Sequence, residues 1–298
     1  MKQIVVISGK GGTGKTSLVA SLAALAGTSV LADCDVDAAD LYLVVQPSLV
    51  ERYEFIGGKR AVIDHDACTA CTACDLCRSL CRYNAITGGG EDLSVDPIAC
   101  EGCGVCAWFC PERAIDMVDA VEGEWYVSDT RLGPMVHARL NPAGENSGKL
   151  VSLLRAEARS IAEIRRIDTI LVDGSPGIGC PVIASITGAD LILVATEPTL
   201  SGLHDLERVI GLTTHFGIPA MVVVNKYDIN EANTRRIEEL ATKLGTGVAG
   251  RIRFDPAVTA AQVAGVPLVE HSSDGAASDM VEVWKRVRWT LSAGGFVT

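Results

Sequence analysis

The sequence predicts an α/β protein, a doubly wound and mostly parallel sheet with helices on both faces and a small α+β insertion. Three observations point there. Residues 4–7 form an apolar run that leads through a glycine-rich turn into the helical pattern of residues 18–26. The run at 169–173 is a continuous apolar stretch ending in a carboxylate, 189–196 and 220–224 read as further buried strands, and helical patterns separate them. Between these, residues 51–140 break the alternation and carry nine of the eleven cysteines, Cys68 to Cys110.

The totals narrow the classes further. A chain of 298 residues that is 48% hydrophobic but only 5% aromatic suits an Ala/Val/Ile-rich core, divided into one large domain and a small one. A net charge of −11 disfavours a phosphate-backbone partner, so nucleic acid is not expected. Met1 and Lys2 run straight into the first strand without the regions of a signal peptide, and no apolar stretch approaches membrane-spanning length. A cytoplasmic protein is expected, in which cysteines serve as metal ligands rather than disulfides.

The first turn reads Gly9-Lys10-Gly11-Gly12-Thr13-Gly14-Lys15-Thr16, followed by Ser17. Four glycines allow the backbone to turn its N–H groups inward around an anion, and the helix behind aims its positive dipole end at the same point. At this spacing Lys15 reaches the β- and γ-phosphates of a nucleotide and the Thr16 hydroxyl ligates Mg²⁺.

Lys10 is a second lysine that ordinary phosphate loops lack. With it the stretch resembles the deviant Walker A motif of the family that contains MinD, ParA, Mrp and the nitrogenase iron protein. The resemblance implies a nucleotide-dependent dimer, with itself or with a related ATPase, in which Lys10 reaches the partner's nucleotide. Charge added only to its own site is the alternative role.

A second strand at 29–32 delivers Asp33, Asp35 and Asp37 to the ligand edge of the sheet. By resemblance Asp35 is the switch I aspartate that handles the attacking water. Asp33, Asp37 and Asp40 fit a solvated acidic turn equally well.

The cysteines form a tandem repeat. Cys71, Cys74, Cys77 and Cys81 recur 29 residues later as Cys100, Cys103, Cys106 and Cys110, each set spaced C-x₂-C-x₂-C-x₃-C, and Ala85-Ile86 recurs as Ala114-Ile115. This is the bacterial two-cluster ferredoxin spacing, in which the fourth cysteine of each run serves the other cluster. Cys71, Cys74, Cys77 and Cys110 are thereby assigned to one 4Fe-4S cluster, and Cys100, Cys103, Cys106 and Cys81 to the second. Paired zinc-type knuckles with longer gaps fit the spacing poorly. Asp64 and Asp96, which precede the runs, lie 32 rather than 29 residues apart, so the first half holds three extra residues and Cys68 is a surplus thiol. A set that draws on Cys68 is the alternative, and the contiguous set is preferred because it keeps the spacing. Arg82 stands where the second run has Pro111.

Strands at 118–127 and 135–140 then return the chain to the larger domain, followed by a helix at 147–164 whose Arg155, Arg159, Arg165 and Arg166 read as a solvated face. The apolar strand 169–173 ends in Asp173, placed to present a carboxylate to Mg²⁺. Gly174-Ser175-Pro176-Gly177 resembles the family's switch II, a turn that moves with the γ-phosphate. Cys180 lies near where the nitrogenase iron protein carries a cluster cysteine. With no second cysteine between Cys110 and Cys180, it reads instead as a small buried residue at a helix start.

The strand 220–224 ends in Asn225-Lys226-Tyr227-Asp228, where the family's asparagine contacts adenine; an N-K-x-D sequence also suits guanine, so GTP stays open beside ATP. His204 and His215 show no ligand spacing. Residues 279–291 carry Met280, Val283, Trp284 and Val287 on a stripe wide enough for core, and membrane docking of the MinD kind is the lesser reading.

These expectations place the ATPase domain at 1–60 and 118–298 and the ferredoxin-like insertion at 61–117, with ATP, Mg²⁺ and two 4Fe-4S clusters as cofactors. Three functions fit: ATP-gated electron transfer to a partner protein, cluster or metal delivery resembling Mrp, and spatial regulation of the MinD kind with structural clusters. Eight ligands in the full ferredoxin spacing favour the first.

Overall fold

The computed structural model describes residues 1–68, 75–89, 92–142, 144 and 146–293. In chain order the strands are β1 (Lys2–Ser8), β2 (Val30–Asp33), β3 (Ser48–Ile63), β4 (Ile86–Thr87), β5 (Ser94–Val95), β6 (Ile115–Thr130), β7 (Gly133–Leu140), β8 (Thr169–Pro176), β9 (Leu191–Thr196), β10 (Ala220–Asn225) and β11 (Gly247–Ile252). The helices are α1 (Lys15–Ala26), α2 (Leu41–Val45), α3 (Leu76–Leu80), α4 (Val105–Phe109), α5 (Ser147–Arg165), α6 (Cys180–Ile186), α7 (Leu200–His215), α8 (Glu231–Lys243), α9 (Pro256–Ala264), α10 (Leu268–His271) and α11 (Ala276–Ala293).

Two compact units result. The larger comprises Met1–Tyr53, Trp125–Arg139 and Ser147–Thr298, the smaller Glu54–Glu124 with Leu140–Asn146. The boundaries differ from the expected 60/61 and 117/118 because β3 and β6 are each 16 residues long and contribute to both units. Sequence alone missed most of β3: its exposed residues 48–54 lack the unbroken apolar run of a buried strand.

The main sheet runs β11-β10-β9-β1-β8-β2-β7-β6-β3. Pairing is parallel from β11 to β7. Strands β1, β8, β9 and β10 are buried almost throughout, which is why they read as unbroken apolar runs. Alternate residues serve opposite faces. Ile4, Val6, Leu31, Leu171, Leu193 and Val223 pack with α1, α10 and α11 in one core, where Met280, Val283, Trp284 and Val287 are buried. On the other face α5 lies against β2 and β8, and α7 against β1 and β9.

Arg155 departs from the solvated face expected of α5. Its guanidinium donates to the carbonyls of Ala184 and Thr187 at 2.8 and 2.6 Å and to Gln3 Oε1 at 2.6 Å, tying α5 to the end of α6 and to β1. Cys180, expected to be buried, is exposed at the first turn of α6.

The smaller unit has a modest apolar core of Ala61, Ile63, Cys77, Ile86, Leu93 and Ile115, against which Cys68, Cys81, Cys100, Cys106 and Cys110 pack. Its halves each contribute a five-residue helix, α3 and α4, and a strand of the β4-β5 pair closes the first half onto the second.

Candidate functional site: a phosphate cradle and a cysteine-lined cavity

The loop between β1 and α1 turns on glycines that hold backbone few other residues adopt: Gly12 has φ 77° and Gly14, the cap of α1, has φ 85°. A Cβ on Gly14 would also run into the Asn225 amide. That amide donates to the Thr13 carbonyl at 2.8 Å, and its Oδ1 accepts the Lys226 N–H at 3.0 Å. Asn225, expected to contact a base, also braces the phosphate loop from the end of β10. A cavity of about 570 Å³ opens in front of the loop, within the range of small-molecule sites. Gly11, Gly12, Gly14, Lys15, Thr16 and Ser17 of the loop line it together with Asp35, Asp37, Asp40 and Ser175.

Parallel register brings the carboxylates together. Asp33 at the end of β2 and Asp173 within β8 are Cα partners, and Val6 of β1 is paired with Asp173 on its other side. Both aspartates have no exposed surface. Asp33 is not part of a solvated turn: its carboxylate accepts the N–H groups of Asp35 and Leu41 at 3.2 and 3.1 Å, which shapes the loop that carries Asp35. Burial raises the Asp33 pKa well above the usual carboxylate range, and the charge of Asp173 adds to the rise.

Neither carboxylate oxygen of Asp173 has a hydrogen bond, although the Thr16 hydroxyl lies beside it outside bonding geometry. Burial pushes its pKa up to about 6, against the opposing pull of Lys15. An orphaned, fully buried carboxylate facing the threonine of a phosphate loop fits a magnesium site. Asp35 forms a buried ion pair with Lys15, Oδ2 to Nζ 3.2 Å. Burial raises the Asp35 pKa and Lys15 lowers it, the first effect being the larger.

Lys10 turns away from this cavity. Its Nζ lies 3.5 Å from Glu197 Oε2, 3.4 Å from Thr199 Oγ1 and 3.3 Å from Ser201 Oγ, and Glu197 also accepts from Lys226 at 2.5 Å. Glu197 therefore joins two lysines from different loops. Sequence reading missed it, and missed Gln262, whose Nε2 donates to Ser17 Oγ at 3.0 Å at the cavity wall. The switch II segment begins later than expected, because Gly174 and Ser175 continue β8 and the Ser175 hydroxyl donates to the Cys34 carbonyl at 2.7 Å. The chain leaves the sheet at Gly177, where φ is 93°.

In the smaller unit, Cys100, Cys103, Cys106 and Cys81 line one cavity, together with Ala61, Ile86, Val95 and Met117. These are three thiols of the second run and the last thiol of the first. Burial raises the Cys106 pKa. Cys77 is buried and Cys110 half-buried; Cys71 and Cys74 lie outside the described residues. No disulfide forms among the described cysteines. Among the described residues no group of three or more His, Cys, Asp or Glu side chains is placed to hold a single metal ion. A cubane cluster makes a different demand, since its thiolates stand at separate corners of a body rather than around one ion; Cys81, Cys100, Cys103 and Cys106 lie around one cavity of about 20 Å³.

The family model of the CobQ/CobB/MinD/ParA nucleotide binding domain matches residues 4–268. An uncharacterized protein of Methanocaldococcus jannaschii is 33% identical over 235 residues, 78% of this chain and 80% of that one. The septum site-determining protein MinD of Bacillus subtilis is 27% identical over 164 residues, 51% of this chain and 60% of its own. The solved structure of MinD from Pyrococcus horikoshii OT3, complexed with Mg-ADP, has the same fold, with a TM-score of 0.58 at 17% identity over 96% of this chain and 95% of that one. Phosphate loop, paired buried carboxylates and family match agree, and the chain belongs to the CobQ/CobB/MinD/ParA nucleotide-binding family.

Proposed function

We propose that this chain hydrolyses ATP and couples its nucleotide state to electron transfer through two 4Fe-4S clusters to a partner protein. The observation that carries the reading is the cavity lined by Cys100, Cys103, Cys106 and Cys81, in a chain that also holds a complete phosphate loop. Three thiols from one run and one from the other are the crossover that a two-cluster ferredoxin requires. The clusters would supply one-electron chemistry, and the chain's own residues supply the nucleotide response.

Lys15 exchanges Asp35 for the β- and γ-phosphates, because a triphosphate carries more negative charge to the same Nζ. Asp35 is thereby released to orient the attacking water, while Thr16 and Asp173 hold Mg²⁺. Lys10 has to leave Glu197, Thr199 and Ser201 before it reaches the phosphates of a second subunit, which makes dimer closure a consequence of nucleotide binding. Cluster or metal delivery is the second reading. Nine thiols between Cys68 and Cys110 for eight ligand positions leave one spare, as a handover site would need.

The test uses the iron-loaded protein, reduced under anaerobic conditions and reoxidised by methyl viologen, with MgATP or MgADP present. Gated electron transfer requires the reoxidation rate or the midpoint potential to differ between the two nucleotides, and the difference to vanish in Lys15→Ala. Identical behaviour with both nucleotides, together with ATP-dependent passage of labelled iron to an apo-ferredoxin, would replace the first reading by the second.

A further inference from the structure

The two halves of the smaller unit correspond in their backbone as well as in their cysteines. Asp64 N–H donates to the Ala114 carbonyl at 2.8 Å, and Asp96 N–H donates to the Ala85 carbonyl at 2.7 Å. Each aspartate then caps the turn that follows: Asp64 Oδ1 accepts from Asp66 and Ala67, and Asp96 Oδ1 accepts from Ile98 and Ala99. The turns end alike, with Cys68 N–H on the Asp64 carbonyl at 2.8 Å and Cys100 N–H on the Asp96 carbonyl at 3.1 Å. Cys68 therefore stands in the first half where Cys100 stands in the second, at an offset of 32 residues.

Beyond the loop the offset is 29. Cys77 and Cys106 are each the second residue of their helix, α3 or α4. Cys81 Sγ accepts the Ala85 N–H at 3.3 Å and Cys110 Sγ accepts the Ala114 N–H at 3.4 Å, while Asn84 and Arg113 share a left-handed φ of 53°. The three extra residues thus fall between Cys68 and Leu76, after Cys68 rather than before it. Sequence spacing does not reveal this, because cysteines at 68, 71, 74 and 77 repeat every third residue and remain in register when shifted by three.

We propose that Cys68 is the first iron ligand of the cluster that also takes Cys77 and Cys110, in the place that Cys100 holds in the other half. The counterpart of Cys68, Cys100, lines the thiol-bearing cavity, and Cys68 packs on the same apolar core as Cys81, Cys100, Cys106 and Cys110. The proposal rests on the two-cluster reading and reverses the contiguous assignment that spacing favours.

The test maps thiols in the iron-loaded wild-type protein by anaerobic alkylation with iodoacetamide and peptide mass spectrometry. Cys68 is expected to be protected until a chelator removes the iron, while the exposed Cys180 is alkylated from the start. In Cys68→Ala, either the iron falls from about eight to about four per chain or a thiol alkylated in the wild-type protein becomes protected in its place. Cys68 alkylated while Cys71 and Cys74 are both protected overturns the proposal and leaves the two-cluster reading standing. Wild-type protein that binds no iron and sulfide overturns both.

Discussion

Asp173 and Asp33 lie side by side at zero exposure on paired strands, so each carboxylate is costly to ionise unless a cation joins them. With the Asp173 pKa raised to about 6, the folded protein holds this proton more tightly than the unfolded chain does. Its contribution is therefore most favourable below about pH 4 and is lost as pH rises to about 6, a change on the order of 2–3 kcal/mol for a shift of roughly two units. Asp33, raised for the same reason, steepens the slope. Urea unfolding of the metal-free protein should show stability falling across this window, and Asp173→Asn should flatten it; a slope unchanged in the variant would contradict the assignment. Asn225→Ala leaves the Thr13 carbonyl without its partner, a loss of about 1–2 kcal/mol, so affinity should fall roughly tenfold for ATP and GTP alike. An ATP-specific loss measured by competition would mean that base contact, not bracing, is its main role. Lys15, Thr16 and Asp173 were legible because a phosphate loop and an apolar run ending in a carboxylate are local patterns. Glu197, Gln262 and the Asn225–Thr13 bond were not, since each depends on partners far away in the chain.

The loops that carry Lys10, Asp35 and Glu197 are the elements on which nucleotide acts. In this structure both loop lysines are paired within their own subunit, Lys15 with Asp35 and Lys10 with Glu197. The second pair is one-third exposed at the lysine, so it is weak enough to be exchanged for a phosphate. Lys10→Ala should therefore keep ATP binding but lose ATP-dependent dimerisation, measured by sedimentation in an Asp35→Ala background that prevents turnover. A dimer that forms equally well without Lys10 would reduce it to a local charge. Strand and helix order in the larger unit could be read from period and burial, because those strands are apolar on both faces. The long strand β3 was missed because its first residues are exposed, and the switch segment was placed early because Gly174 looks like a turn but continues β8 through an irregularity in its pairing with β1.

At the scale of the whole molecule, the two units should differ in what stabilises them. The larger is built on an extensive core shared by the sheet and its helices, whereas the described residues of the smaller form a modest apolar cluster with thiols packed around it. On the proposed function, bound clusters would add to the stability of this smaller unit. Stripping iron with a chelator should lower hydrogen-exchange protection at Asp64, Asp96 and their paired amides while nucleotide binding persists; unchanged protection would show a self-sufficient fold. The repeat itself was legible because cysteine spacing is local, and the place of its extra triplet was not because regularly spaced cysteines hide a shift of three. The central claim, an ATPase of this family that carries two cubane clusters, is tested most directly by the iron and acid-labile sulfide content of anaerobically purified protein. About eight of each per chain is the predicted result; zinc in place of iron, or about four irons after full reconstitution, would contradict it.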